Sequence, residues 1–231
     1  MVRGRAFAMN IALILAGGTG TRLGADIPKQ YIEVYGRPVI SYCLELFENM
    51  SEIDCIWVVA EEQWHEFIKS STGKKVKGFS NPGSNRQLSI WNGLQGISDF
   101  ASSEDVVVIH DAARPLVTEK LVRDCLRACE THDGALPVLP MKDTVYIGEQ
   151  GRIVSLLDRQ KVFAGQAPEA FLYGKYFEAT RELLPEKILN VNGSTEPAIL
   201  AGMDIAVVEG DEKNFKITTQ EDLKRFQMMM G

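Results

Sequence analysis

The sequence predicts an α/β protein with a doubly wound, mostly parallel sheet, and three observations support this fold class. Short apolar runs rich in β-branched residues recur along the chain, as expected of strands that are covered on both faces. Amphipathic stretches with helical spacing separate these runs, which gives the βαβα order of doubly wound sheets. The length of 231 residues suits one large domain of this kind.

Each predicted element rests on a pattern of side chains. The apolar runs predict strands at residues 11–15, 55–59, 106–109, 136–139 and 205–208. Helical spacing of apolar residues predicts helices at residues 38–47, 85–97 and 118–130. A last helix is predicted to begin at Thr218, because Thr218 and Glu221 have the spacing of a capping box.

One segment, at about residues 142–170, interrupts this alternation. Two short β-like pieces, residues 144–147 and 152–156, flank a Gly-Glu-Gln-Gly turn. This pattern predicts a β-hairpin that protrudes from the sheet, and we call residues 142–170 the arm. We therefore predict a single domain over residues 9–231 that includes the arm, preceded by a flexible tail at residues 1–8.

Composition excludes several classes of function. The net charge is −6, whereas a protein that binds nucleic acid normally carries a basic face, so we expect no nucleic-acid partner. No apolar run reaches the roughly 18 residues of a membrane span, so we expect no membrane partner. The four cysteines form no CxxC pair and are predicted to be buried thiols, which favours a cytoplasmic location.

The strongest functional signal is a glycine-rich loop after the first predicted strand. Residues 15–24 read LAGGTGTRLG, and Pro-Lys-Gln follows at residues 28–30. Small residues let the backbone approach a ligand, and the main-chain N–H groups there can surround a triphosphate. The loop matches neither the Walker A motif nor the dinucleotide-binding fingerprint. A plain glycine turn is the alternative, but the nearby charges of Arg22 and Lys29 favour a nucleotide loop. The candidate backbone contacts are Ala16, Gly17, Gly18 and Gly20.

The loop and its Pro-Lys-Gln resemble those of nucleotidyltransferases with a Rossmann-like fold. Within this group the chain resembles the cytidylyltransferases of polyol phosphates, namely the methylerythritol 4-phosphate and ribitol 5-phosphate enzymes. The resemblance covers nearly the whole chain after Asn10. It implies transfer of CMP from CTP to a polyol phosphate, with Mg²⁺ as cofactor and a homodimer formed through the arm. With methylerythritol 4-phosphate as acceptor, the reaction belongs to isoprenoid biosynthesis. A non-catalytic nucleotide-binding protein is the alternative from another class.

Two further motifs follow predicted strands or precede helices. Residues 82–89 read PGSNRQLS and resemble the family motif in which a glycine precedes Arg-Gln-x-Ser, which faces the cytosine and ribose, and a helix N-terminus there supplies N–H groups. The predicted CTP contacts in it are Gly83, Ser84, Arg86 and Ser89. Helix capping by Ser84 and a structural role for Arg86 are the alternatives.

The motif His-Asp-Ala-Ala-Arg-Pro at residues 110–115 directly follows a predicted strand. A carboxylate at the C-terminal end of a strand suits a metal–phosphate site, so Asp111 is the candidate for Mg²⁺ or ribose contact, with Ala112 beside the nucleotide. Arg114 resembles the family residue that contacts the acceptor phosphate, a task for which a guanidinium fork is suited. A loop cap at Asp111 and a surface ion pair at Arg114 are the alternatives.

The remaining site residues come from the resemblance. In the family, the arm carries a threonine and an arginine that reach the partner's active site, and Thr144 and Arg159 match them as binders of the acceptor phosphate. Residues 214–218 resemble the family ending Asn-x-Lys-x-Thr, which places Lys216 beside the α-phosphate. Arg22, Lys29 and Lys216 are therefore the predicted catalytic residues.

Two segments depart from the family motifs. The family sequence Gln-Thr-Pro-Gln is replaced by QAPE at residues 166–169, and Thr-Asp-Asp/Glu-Ala is replaced by NGSTEPA at residues 192–198. The second motif carries an acceptor-binding threonine in the methylerythritol enzymes, and Asn192 and Thr195 are the candidates for its place. The acceptor therefore stays divided between methylerythritol 4-phosphate, which we favour, ribitol 5-phosphate and a third polyol phosphate.

Overall fold

The computed structural model describes residues 8–18 and 27–231. Within these residues, eight strands form a central sheet and two pairs of short strands lie outside it. The strands are β1 (Asn10–Leu15), β2 (Glu33–Val34), β3 (Arg37–Pro38), β4 (Cys55–Val59), β5 (Val76–Ser80), β6 (Val106–Asp111), β7 (Gly134–Pro140), β8 (Tyr146–Glu149), β9 (Arg152–Leu156), β10 (Phe163–Gly165), β11 (Glu169–Leu172) and β12 (Ile205–Glu209). The helices are α1 (Val39–Asn49), α2 (His65–Ser70), α3 (Arg86–Gly96), α4 (Glu119–Ala128), α5 (Tyr173–Arg181), α6 (Glu196–Leu200) and α7 (Gln220–Met230).

The central sheet is mixed but mostly parallel, as predicted. Its order along one path is β5-β4-β1-β6-β11-β7, and β12 pairs with the other edge of β7. The pairs β1–β4, β1–β6, β4–β5 and β7–β12 are parallel. The strand β11 runs antiparallel between β6 and β7, and β10 pairs antiparallel with the end of β7. The sequence patterns indicated neither β5 nor these two antiparallel strands.

Both faces of the sheet are covered by helices, because β1 is apolar on both sides. Ala12 and Ile14 of β1 pack in one cluster with side chains of α1 and α4. Ile11 and Leu13 point to the opposite face and pack with side chains of α3 and α5. The alternation of Cβ direction along a strand thus divides one apolar run between two cores.

The order of the strands creates a crevice at one edge of the sheet. After β1 the chain passes to β4 on one side, and later to β6 on the other side. Ligands of doubly wound folds bind outside the C-terminal ends of the strands at such a reversal point. The described start of the glycine loop, residues 16–18, and the carboxylate of Asp111 both lie at this place.

The arm contains a hairpin that is separate from the central sheet. The strands β8 and β9 pair only with each other among the described strands, and every residue in them is exposed. Residues 163–165 of the arm pair with the central sheet, and β11 begins at Glu169. The tail lies outside the described residues except for Ala8.

Candidate active site

A pocket of about 400 Å³ lies at the C-terminal ends of β1 and β6. It brings together residues from the glycine loop, the start of α3, the end of β6 and the segment before α7. The described residues that line it are Leu15, Gly17, Gly18, Lys29, Gln30, Gly83, Ser84, Asn85, Arg86, Ser89, Asp111, Ala113, Lys216 and Thr218. Nine of the predicted site residues are in this group: Gly17, Gly18, Lys29, Gly83, Ser84, Arg86, Ser89, Asp111 and Lys216. Residues from four sequence-distant motifs therefore share one pocket.

The described part of the glycine loop is held by a buried glutamine. The side-chain amide of Gln30 donates to the carbonyl oxygens of Ala16, at 2.5 Å, and Gly18, at 2.8 Å. A Cβ at Gly17 would lie 2.3 Å from the Cβ of Pro82, so only glycine lets the loop pack against this proline. Gln30 therefore fixes the loop, while Lys29 beside it lines the pocket.

The start of α3 forms the adjacent wall. Asn85 is its N-cap, and the Asn85 side chain accepts a hydrogen bond from the Leu88 N–H at 2.8 Å. Ser84 is therefore not the cap of this helix. The Ser89 hydroxyl accepts from the Gly83 N–H at 3.0 Å and donates to the Asn85 carbonyl, which holds the turn against the helix. Ser84 is exposed at the pocket.

Asp111 is the centre of the charged part of the pocket. Its carboxylate accepts from the Arg86 Nε at 3.1 Å and from the Lys216 Nζ at 2.9 Å. The Arg114 Nε lies 3.7 Å from the same carboxylate. Burial alone would raise the pKa of Asp111, but the positive charges of Arg86, Lys216 and Arg114 lower it well below its usual range. Asp111 is therefore ionised at neutral pH.

The backbone at the end of β6 is bonded to the neighbouring strand end. The N–H of Ala112 donates to the Leu15 carbonyl at 3.0 Å, which ties the two loops of the crevice together. His110 is buried, burial lowers its pKa to about 4, and its Nε2 lies 3.0 Å from the Arg114 carbonyl. A neutral histidine that donates to this carbonyl fits the geometry, so His110 supports the turn.

Arg114 points towards the segment before α7 rather than into the pocket. Its Nη1 donates to the Asn214 carbonyl at 2.6 Å, and the Asn214 side chain donates to the Ala167 carbonyl at 2.7 Å. Gln166 adds two bonds with the Asp211 backbone, each 3.0 Å long. These bonds position the segment that carries Lys216. An acceptor contact for Arg114 stays a prediction.

The two segments that depart from the family motifs meet behind Arg86. Both oxygens of the buried Glu169 are hydrogen-bonded, one to the Ser194 hydroxyl at 2.7 Å and the other to the Thr195 hydroxyl at 2.8 Å. The Arg86 Nη1 donates to the Ser194 hydroxyl, and the Arg86 Nη2 lies 3.8 Å from Glu169. Burial raises the pKa of Glu169, and the charge of Arg86 opposes this shift.

The sequence motifs indicate no joint role for Glu169, Ser194 and Thr195, although both segments depart from the family motifs. The available signal was a carboxylate directly before the short apolar run Ala-Phe-Leu at residues 170–172, because a carboxylate requires partners when it is buried. Asn192 is exposed on the same segment, so the two candidates for the acceptor-binding threonine differ in exposure.

Seven predicted site residues are not among the described residues that line the pocket. Ala16, Ala112 and Arg114 bond within the fold beside it, and the other four lie on the arm or outside the described residues. Thr144 and Arg159 are exposed on the arm, and the Arg159 Nη1 donates to the Lys142 carbonyl at 2.9 Å. Gly20 and Arg22 lie outside the described residues. Their roles stay predictions.

The described lining of the pocket offers one carboxylate to a metal ion. Asp111 is the one acidic side chain among the described residues that line it. Across residues 8–18 and 27–231, no group of three or more His, Cys, Asp or Glu side chains is arranged to hold a metal ion. Mg²⁺ often binds through one or two carboxylates together with substrate phosphates, and a single ionised Asp111 fits this pattern.

Two global features complete the description of the chain. None of the helices in the described part of the chain has the length and apolar content needed to cross a bilayer. The four cysteines are all buried free thiols, as predicted.

Comparisons with known proteins identify the family of this chain. Residues 10–231 match the family model described as IspD, 2-C-methyl-D-erythritol 4-phosphate cytidylyltransferase. The 2-C-methyl-D-erythritol 4-phosphate cytidylyltransferase of Rubrobacter xylanophilus is 39% identical over 223 residues, which cover 92% of this chain and 91% of that protein. The ribitol-5-phosphate cytidylyltransferase of Lacticaseibacillus paracasei is 34% identical over 226 residues, covering 95% of this chain and 97% of that protein.

A solved structure shows the same fold. The 4-diphosphocytidyl-2C-methyl-D-erythritol synthase of Anaerococcus prevotii superposes with a TM-score of 0.83 at 26% identity, over 96% of both chains. The family match, the two relatives and this fold confirm the resemblance that the motifs carried. The chain belongs to the 2-C-methyl-D-erythritol 4-phosphate cytidylyltransferase family, whose members are CTP-dependent nucleotidyltransferase enzymes.

Proposed function

We propose that this chain transfers CMP from CTP to 2-C-methyl-D-erythritol 4-phosphate, with release of pyrophosphate. The observation that carries the proposal is the cluster of Arg86, Lys216 and Arg114 around Asp111, at the mouth of a glycine-loop pocket. The relative of 39% identity over nearly the whole chain bears the name of this reaction.

The cluster suits a displacement between two polyanions. An oxygen of the acceptor phosphate attacks the α-phosphorus of CTP, one P–O bond forms, and the bond to pyrophosphate breaks. A phosphate oxygen is already a competent nucleophile, so the site needs no strong base. It needs cations that align two negatively charged substrates and stabilise charge in the transition state.

Three basic residues would contact the phosphates of CTP. Lys29, together with Arg22, would bind the triphosphate, and Lys216 would contact the α-phosphate. The Lys216 side chain is 33% exposed, so its ammonium group can turn from Asp111 to a bound phosphate. Asp111 would not be left without a partner, because Arg86 and Arg114 remain beside it.

Mg²⁺ is the proposed cofactor, and Asp111 would hold it together with the phosphates of CTP. When bound, the ion would neutralise negative charge on the reacting phosphate. The support is that Asp111 is ionised and faces the pocket from the end of β6.

We also propose a homodimer formed through the arm. The hairpin exposes large apolar side chains on both strands, and a two-stranded hairpin is marginally stable alone in water. These side chains are Tyr146, Ile147, Ile153, Val154 and Leu156. A second copy of the chain would cover them and bring Thr144 and Arg159 to the acceptor phosphate in the partner's pocket.

The use of all four cysteines as buried thiols supports a cytoplasmic location for this enzyme.

Ribitol 5-phosphate is the second candidate acceptor. The support is the ribitol-5-phosphate relative, which matches 95% of this chain at 34% identity. The altered segments at residues 166–169 and 192–198 also depart from the motifs of the methylerythritol enzymes, and they meet beside Arg86 through Glu169 and Ser194.

Pyrophosphate release with CTP, Mg²⁺ and each of several polyol phosphates tests the proposal, and mass spectrometry identifies the product. We expect turnover with 2-C-methyl-D-erythritol 4-phosphate at a kcat/KM at least tenfold above that of ribitol 5-phosphate. The reverse preference would establish the second candidate. Tight CTP binding without turnover on any acceptor would overturn the enzymatic proposal and favour a non-catalytic nucleotide-binding protein.

A further inference from the structure

A second buried carboxylate lies beside the pocket without lining it. Glu169 is the first residue of β11, is 7% exposed, and is fixed to the central sheet by pairing of its strand with β6. The sequence motifs give no role to an acid at this position. A buried carboxylate is costly unless its oxygens are hydrogen-bonded or paired with a cation, so the partners of Glu169 define what it does.

The partners of Glu169 are linked by further hydrogen bonds to Arg86 and to α5. Ser194 and Thr195 each donate a hydroxyl to a different oxygen of Glu169, at 2.7 and 2.8 Å. The Ser194 hydroxyl in turn accepts from the Arg86 Nη1. The Ser194 carbonyl accepts from the Tyr176 hydroxyl at 2.7 Å, which fixes the segment to α5.

The result is that Arg86 is held from two sides. Its Nε donates to Asp111 at 3.1 Å, while its two Nη atoms face Ser194 and Glu169. A guanidinium group is planar, so contacts at both ends fix its orientation as well as its position. Arg86 lines the pocket, and its plane is set by Asp111, which also lines the pocket, and by Ser194 and Glu169, which do not.

We propose that Glu169, with Ser194 and Thr195, is a positioning set that orients Arg86 towards the substrates. The set also holds the segment at residues 192–198 at the edge of the pocket. Through Arg86, the wall of the pocket on the nucleotide side is thereby joined to the wall on the acceptor side. The functional consequence rests on the proposed cytidylyl transfer, whereas the orientation of Arg86 does not depend on it.

Three single exchanges test the set by kinetics. E169Q keeps the shape of the side chain and removes the charge, and we expect kcat/KM to fall about 10- to 100-fold, the range for lost hydrogen bonds to a charged group. S194A leaves the charge unchanged, removes the acceptor of the Arg86 Nη1, and should cost about tenfold. E196Q is the matched control. Glu196 lies on the same segment and accepts a hydrogen bond from the Asn192 N–H at 2.7 Å, without facing Arg86. The kcat/KM of E196Q should stay within about twofold of wild type.

A double-variant cycle separates positioning from general stability. If Glu169 acts through Arg86, E169Q should cost less than about threefold in an R86K background, because lysine cannot make the fork. An equal cost in both backgrounds would overturn the proposal. So would E169Q or S194A with a lowered melting temperature and unchanged kcat/KM.

A spectroscopic readout keeps the test independent of turnover. The Nε–H signal of Arg86, assigned by its loss in R86K, should show slow solvent exchange in the full-length wild-type protein. The exchange should become at least about tenfold faster in E169Q and S194A and stay unchanged in E196Q. If the wild type shows no turnover with any acceptor, the proposed function fails, and this signal alone decides the role of Glu169. An unchanged Arg86 signal in E169Q would refute that role.

Discussion

The exchange D111N removes the negative charge around which the pocket is built. In the wild type, three cationic groups lie within 3.7 Å of the Asp111 carboxylate. An asparagine keeps nearly the same size and one acceptor oxygen, but it leaves Arg86, Arg114 and Lys216 without their common counter-ion. We therefore expect a loss of folding stability as well as a loss of activity.

The size of this loss follows from the contacts. Hydrogen bonds to a charged group contribute about 1.5–3 kcal/mol each, and Asp111 makes two of them, to Arg86 and Lys216. Part of the loss is recovered, since Lys216 can turn to water and Arg86 keeps Ser194 and Glu169. The net effect should be about 2–4 kcal/mol, which lies at or just below the usual cost of breaking a buried ion pair.

Urea unfolding of D111N and wild type at pH 7 measures this difference, and D99N, at an exposed position, is the control. Because the pKa of Asp111 is lowered in the folded state, its stabilisation is present above the unfolded value of about 3.9 and is lost as pH falls below it. The difference between D111N and wild type should therefore be largest near neutral pH and shrink in acid. Equal stability of the two proteins at pH 7 would refute the reasoning.

The remaining predictions concern the cations, the glycine loop and the arm. K29A and K216A should each lower kcat at least about 100-fold with a normal circular dichroism spectrum, and near-normal turnover in either variant would remove that lysine from the mechanism. G17A should cost about 1–3 kcal/mol in urea unfolding, because its Cβ would lie 2.3 Å from that of Pro82. G18A, which meets no described heavy atom within 4 Å, is the stability control for G17A. I153D, at a side chain that is 69% exposed, should convert a dimer to a monomer in light scattering, whereas R152Q should not. A monomeric wild type would contradict the role of the arm.

The sequence predicted the parallel part of the fold because its signals are local. A buried strand such as β1 is visible as an apolar run, and the loop that follows it is visible as glycines. The antiparallel strand β11 begins with a glutamate and has four residues, so no local pattern separates it from the arm. At the start of α7, the sequence pattern located the helix but not the residues that cap it. The cap is Thr219 with Asp222 rather than Thr218 with Glu221, because Asp222 also accepts from the Thr218 N–H and hydroxyl.

The site was predictable to the extent that each motif follows an element whose end meets the crevice. Asp111 and the glycine loop converge because β1 and β6 are parallel neighbours, a consequence of the fold class alone. The pairing of Glu169 with Ser194 and Thr195 depends on tertiary contacts across 25 and 26 residues of chain, and no periodicity reports it. Glu169 and the altered segment at residues 192–198 each depart from a family motif. In the structure these two departures form one interaction, because Ser194 and Thr195 bond the Glu169 carboxylate.

The charge balance of the pocket fits its proposed role in binding two phosphorylated substrates. Arg86, Arg114 and Lys216 carry three positive charges, and Asp111 and Glu169 carry two negative charges when both carboxyls are ionised. The cations are therefore held in place before any phosphate binds, which avoids the cost of assembling them during the reaction. Lys29 adds a further cation at the pocket wall. Lys216 is bonded to Asp111, whereas Arg86 is also bonded to Ser194 and Arg114 to Asn214. In the proposed mechanism, Lys216 is therefore the cation that a phosphate would draw away first, while the two arginines keep the carboxylate compensated.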